Sequence, residues 1–348
     1  MTRNAVPSLV LAVAAGCGGP NATLPGVAVV QETFVSRRQL LGNLDSPAIW
    51  HGPAGEAWVL VTSKWRHRLE VYDGATGEHL QTVGRGGAGA GEFRRPNGVA
   101  VVGDLALVVE RDNARVQVLR LPDLEPIGSF GETLRRPYGI AVLERGPDSV
   151  EVFVTDDYEA AGGGPPADHE LGERVKHYLV TTRGGQVSAL YRGAFGDTAG
   201  AGRLGKVESL AVDADAGLLL VADEIARDVK VYDVSGTFTG QVLWQGVIEN
   251  DPEGIALYAC GQDEGYWIVA DQHRTTNRFR VFDRRSLAPL GAFMGRTVRQ
   301  TDGIALTQRP VGAMRSGSLY AMDRDRALAA FDWGDVAAAL GLRSDCRP

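Results

Sequence analysis

Short apolar runs separated by Gly, Asp and Asn turns recur along the chain from about residue 44 onward, and one phrase opens each group of them. The phrase reads Arg95-Pro96-Asn97-Gly98-Val99-Ala100-Val101, then Arg136-Pro137-Tyr138-Gly139-Ile140-Ala141-Val142. It returns as Val207-Glu208-Ser209-Leu210-Ala211-Val212, Pro252-Glu253-Gly254-Ile255-Ala256-Leu257 and Thr301-Asp302-Gly303-Ile304-Ala305-Leu306, with Ser46-Pro47-Ala48-Ile49-Trp50 as its first form. Behind it comes a second apolar run, as in Leu105–Val109, Glu151–Thr155, Leu218–Ala222, Tyr266–Ala270 and Ser318–Met322. A third run alternates strictly, in Arg115–Leu119, Asp228–Tyr232 and Arg278–Phe282, and a weaker fourth follows, in Pro126–Phe130 and Pro289–Phe293. Alternation with a period of two between turn residues predicts antiparallel strands with one buried face. A four-strand unit that starts near 46, 96, 137, 207, 252 and 302 predicts an all-β chain: a six-bladed β-propeller of four-stranded antiparallel sheets. Val27 to Phe34 is expected to latch the ring by pairing with the last blade. Trp333 to Leu342 is expected to form a short C-terminal helix that acts as plug or clasp, and Gly162 to Asp168 a surface loop inserted in the third unit.

Composition narrows the partners. Of 348 residues 23% are charged, with a formal net charge of -7, which argues against nucleic acid or an anionic membrane as the general partner. The six histidines are scattered, and no HExxH or paired CxxC spacing suggests zinc. At the start, Thr2-Arg3, an apolar stretch to Gly16 and then Cys17 read as an export signal with a lipoprotein-type cleavage site over 1–17. The expected layout is therefore 1–17 signal, 18–27 flexible linker and 28–348 a single propeller domain. The chain would be a monomer outside the cytoplasm, secreted or tethered to the cell envelope only through a lipid on Cys17. Cys260 and Cys346 could then form a disulfide in an oxidising compartment.

Equivalent points of successive repeats become neighbours at one end of a propeller's channel. The recurring phrase puts Asp45, Glu208, Asp251, Glu253 and Asp302 there, and Glu224 ends the second strand of the fourth unit on the same side. Crowded carboxylates repel unless neutralised, and calcium, which takes six to eight oxygen ligands, is the expected counter-ion. Asp213 and Asp215 fall in the opposite turn and are expected to be structural. Lys64, Arg111, Arg94, Arg95, Arg192 and Lys206 bring cations to the acidic end, suited to phosphate oxygens.

Several segments, taken in order, resemble the β-propeller phytases, the alkaline calcium-dependent phytase family. They are Asp45-Ser46-Pro47-Ala48-Ile49-Trp50, Thr62 to Trp65 followed by Val71-Tyr72, Glu208 to Asp213 followed by Val221 to Glu224, Asp251 to Ile255, Gly265 to Gln272, Thr301 to Ile304 and Asp332 to Gly341. The resemblance implies calcium ligands at Asp45, Glu208, Glu224, Asp251, Glu253 and Asp302. It implies phosphate contacts at Lys64, Arg111, Tyr138 and Arg192, and hydrolysis of phytate or a related phosphorylated small molecule by metal-activated water. The chain departs from the pattern at Ser46, Trp65 and Asn97 to Ala100, and in the shortened loop Gly295 to Gln300, where Arg296 and Arg299 replace acidic positions. Those arginines could take over neutralisation of a substrate. Two other readings stay open: a calcium-dependent lactonase-like hydrolase with one central ion, and a noncatalytic extracytoplasmic binding propeller.

Overall fold

The computed structural model describes residues 26–346. Six antiparallel sheets stand around one axis, each with its first strand innermost. The inner strands are Leu44–His51, Pro96–Val102, Pro137–Gly146, Leu210–Asp213, Asp251–Cys260 and Ile304–Thr307, and each touches the next in a closed circle. The six-bladed propeller is thus the fold, and the recurring phrase is its inner strand.

The glycine of that phrase has a steric cause. A Cβ on Gly98 would lie 2.6 Å from the carbonyl oxygen of Tyr138, one on Gly139 2.0 Å from that of Glu208, and one on Gly254 2.8 Å from the backbone nitrogen of Ile304. Each of these three inner strands therefore leans on the backbone of the next blade. Thr62 and Thr155 stitch the same seam: the Thr62 hydroxyl donates to the carbonyl of Asn97 (2.6 Å) and the Thr155 hydroxyl to that of Glu208 (3.2 Å).

The alternating third strands do not present a polar face to solvent. Each blade is covered on both faces by its neighbours, so Glu70, Gln117, Lys176, Lys230 and Arg280 are all buried. Gln117, Lys230 and Arg280 meet buried acids instead, Gln117 reaching Glu110 at 3.1 Å, Lys230 reaching Asp223 at 3.4 Å and Arg280 reaching Asp271 at 2.6 Å. Asp213 and Asp215 take Arg284 of the next blade at 2.6 and 3.0 Å, an ion pair between blades at the far end of the ring, as structural residues should.

The latch is divided. Val27–Val30 adds a parallel fifth strand to the outer edge of blade five, and Phe34–Val35 supplies the fourth strand of blade six, antiparallel to Ala327–Asp332. Blade six contributes only three strands of its own, so the ring closes by joining the two chain ends. The helix Trp333–Leu340 starts where Asp332 accepts the Gly334 N–H and stops at Gly341, whose φ is 68°. It lies on this seam as a clasp, with Trp333 stacked on Tyr258 at 4.3 Å, and does not plug the channel. A disulfide between Cys260 and Cys346 fixes the tail. The segment around Gly162 is an exposed loop between the second and third strands of blade three. The expected signal and Cys17 lie outside the described residues. No helix among those described is long and apolar enough to cross a membrane.

Candidate metal centre at the channel mouth

The second strands show which acids hold the fold and which serve the mouth. At or one residue before their ends stand Glu110, Asp156, Asp223, Asp271 and Asp323 in blades two to six, every one buried. Each accepts backbone N–H groups of the loop that leads into the inner strand: Glu110 from Arg94 (3.0 Å), Asp156 from Arg136 (2.6 Å), Asp223 from Gly205 (2.7 Å), Asp271 from Asn250 (2.8 Å) and Asp323 from Arg299 (3.1 Å). Such carboxylates are fully used as loop clamps. The residue after each clamp is the variable one: Lys64 in blade one, then Arg111, Asp157, Glu224, Gln272 and Arg324.

Clamped this way, the loops deliver Asp45, Tyr138, Glu208, Glu253 and Asp302 to one cavity of about 80 Å³ at the end of the channel. Two groups of side chains form at this mouth. In the first, the Lys64 ammonium donates to Asp45 Oδ1 (2.9 Å), Asp302 Oδ2 (3.2 Å) and the Tyr138 hydroxyl (3.2 Å), and Gln272 Nε2 donates to Asp302 Oδ1 at 2.5 Å. In the second, one carboxylate oxygen each from Glu208, Glu224 and Glu253 lie within 4.8 Å of one another. Lys206 pairs with Glu208 at 3.0 Å and also with Glu224.

Charge is out of balance here. Burial pulls the Lys64 ammonium down, yet Asp45 and Asp302 hold it above the ordinary lysine range. Burial, and then the charge of Glu208, pushes the Glu224 carboxyl up to about 8. Burial followed by Glu224 and Glu208 holds Glu253 well above the carboxylate range, and burial raises Asp302 against the pull of Lys64. Glu224 Oε1 is buried without a hydrogen-bond partner. A buried oxygen of this kind, beside two further carboxylates, calls for a proton or a cation. Two oxygens on one calcium stand up to about 5 Å apart, so the three glutamates fit one such ion as a partial ligand set.

Not every expected residue joins. Asp251 begins its inner strand near enough for its charge to act on Glu224, but it lies outside the three-oxygen group. Asp45 and Asp302 are occupied by Lys64. Arg111 is tied to its neighbour Asp112 at 2.7 Å. Arg192 sits on Ser188–Phe195, the outermost strand of blade three, and is exposed. The outer strand cannot reach the axis, so Arg192 is not a mouth residue. Arg299 donates to the carbonyls of Gly295 (3.1 Å) and Val298 (2.7 Å) in its own loop, and Arg296 is exposed. Asp157 is a mouth-side acid the repeat phrase does not mark; it is pushed up to about 6 by burial despite Arg174. Asp325, half-buried beside Asn43 with one buried oxygen unpartnered, is another. Asp157 follows its clamp as Glu224 does, and overlaying the second-strand ends would have exposed it.

No protein-family model and no curated protein sequence matches this chain.

Proposed function

We propose that this propeller is a calcium-dependent hydrolase of a small, oxygen-rich substrate, built around one ion held by Glu208, Glu224 and Glu253. The convergence of those three carboxylates within 4.8 Å at the channel mouth carries the reading. A bound divalent ion would polarise a carbonyl or phosphoryl oxygen and make water more acidic. The chain's own part is to fix the three oxygens through the loop clamps and to set Tyr138 and the Lys64 ammonium beside them.

The arrangement favours a lightly charged substrate, of lactone or simple ester type, over a polyphosphate such as phytate. Lys64 is consumed by Asp45 and Asp302, Arg111 by Asp112, and Arg192 is remote. The mouth cavity, near 80 Å³, is smaller than the roughly 150 Å³ that holds a benzene, so it admits an ion and one reacting group while the rest of a substrate stays outside. A noncatalytic calcium-binding propeller is the second reading: the carboxylate oxygens that could hold an ion are shown, while the Thr301 hydroxyl is buried and donates to the Met322 carbonyl. Purified protein assayed on sugar lactones, simple phosphomonoesters and phytate, with calcium and with chelator, tests these together. Calcium-dependent turnover of lactone or simple ester is expected. Binding of calcium with no turnover of any substrate leaves the noncatalytic reading, and fast phytate hydrolysis contradicts the single-ion arrangement.

A further inference from the structure

The two lysines of the mouth are held differently. Lys64 has a side chain 6% exposed and three partners on three blades. Lys206 has a side chain 39% exposed, and its ion-pair partners are Glu208 and Glu224 alone. Both of those belong to the three-glutamate group. Lys206 pairs with Oε1 of Glu208 and Oε2 of Glu224, leaving Glu224 Oε1 open, so an ion seated there and the Lys206 ammonium compete for the charge of the same two carboxylates.

The backbone around Lys206 is fixed. The Asp223 clamp accepts the Gly205 N–H at 2.7 Å, the Lys206 carbonyl accepts the Glu224 N–H at 3.1 Å, and the Arg174 guanidinium holds the Gly205 carbonyl. Only the four-carbon stem is left to move, and its exposed edge gives it a route toward the rim. An ammonium is a strongly hydrated donor with no acceptor function, so once a divalent ion takes its carboxylates it is repelled and must find water or another anion.

We propose that Lys206 is a tethered counter-cation: a divalent ion displaces it from Glu208 and Glu224, and the freed ammonium then binds an oxyanion of the ligand at the rim. Cation and oxyanion then assist one another, because each favours the outward position of one side chain, and the coupling is reciprocal. The inference rests on the single-ion reading. It adds a ligand feature to that reading, a carboxylate or phosphate group beside the hydrolysed bond or released by its cleavage.

Calorimetric titration of calcium into the intact chain tests it, alone and with acetate or with inorganic phosphate below the solubility limit of its calcium salt. In the wild type, at least one anion is expected to tighten calcium binding; phosphate alone doing so identifies a phosphate ligand, and acetate doing so as well admits carboxylates. Lys206→Met is expected to bind calcium alone about tenfold more tightly, having lost the competing charge, and to show no anion effect. Lys206→Arg should keep the anion effect. Glu253→Gln separates the two failures. If neither wild type nor Lys206→Met binds calcium, the single-ion reading fails and this inference with it. If calcium binds and Glu253→Gln abolishes it, yet Lys206→Met binds no tighter or keeps the anion effect, the ion site stands and the role of Lys206 is overturned.

Discussion

Asp45, Glu208, Glu224, Asp251, Glu253 and Asp302 share one end of the channel with Lys64 and Lys206. Where a lysine has displaced the need for a metal, removing it should be costly. Lys64→Met leaves Asp45 and Asp302 buried and unpaired, and is expected to destabilise the fold by about 3–5 kcal/mol in denaturant unfolding. The glutamate group responds to pH instead. The folded chain holds a proton on Glu224 up to about 8, whereas an ordinary glutamate loses it near 4.5. Between those values the folded state binds more protons than the unfolded, so stability in chelator should fall as pH rises through that window. Saturating calcium should flatten that slope, and at pH 7 binding should release protons from Glu224 and Glu253, read from the buffer dependence of the binding enthalpy. A stability that rises with pH in chelator would count against the raised Glu224 carboxyl. At this scale the sequence told only part of the story. Glu208, Glu253 and Asp302 are visible because each stands in the repeated phrase, whereas Asp157 and Asp325 are ordinary turn acids until the fold sets them at the mouth.

Between blades, the repeat is enforced by contact. Gly139 and Gly146 lie on the same inner strand, but a Cβ on Gly139 meets the Glu208 carbonyl at 2.0 Å while one on Gly146 meets nothing within 4 Å. Gly139→Ala should therefore cost about 1–3 kcal/mol of stability and, by pushing on the backbone of Glu208, weaken calcium binding as well. Gly146→Ala should be close to neutral in both measurements. Inner and second strands were legible from period and turn signals. The third strands were only half legible: their alternation was plain, but alternation cannot tell a solvated polar face from one buried against the next blade. Gln117, Lys230 and Arg280 resolve it, being buried partners of strand-end acids. The clamp acids themselves recur at one position, as regularly as the phrase does, and that regularity separates structural carboxylates from those at the mouth.

In the whole ring, closure depends on the two chain ends meeting at blades five and six. Phe34–Val35 completes blade six, Val27–Val30 extends blade five, and Cys260–Cys346 holds the tail against the helix clasp. The disulfide spans 86 residues, so replacing both cysteines by serine should lower stability by about 2–4 kcal/mol. The mouth lies on the axis and the clasp on the rim, so calcium affinity should be unchanged in the same variant. The latch was foreseen as one strand on the last blade; its division between two blades follows from a third and a fourth partner edge lying side by side at the seam, which no local pattern reveals. The central claim concerns the axis, and its most direct test is the number of calcium ions bound. Titration of the intact chain should give one ion per chain for the wild type, and at least about 100-fold weaker binding in Glu253→Gln. A wild type that binds no calcium, or a Glu253→Gln chain that binds it with the wild-type number and affinity, would contradict the account.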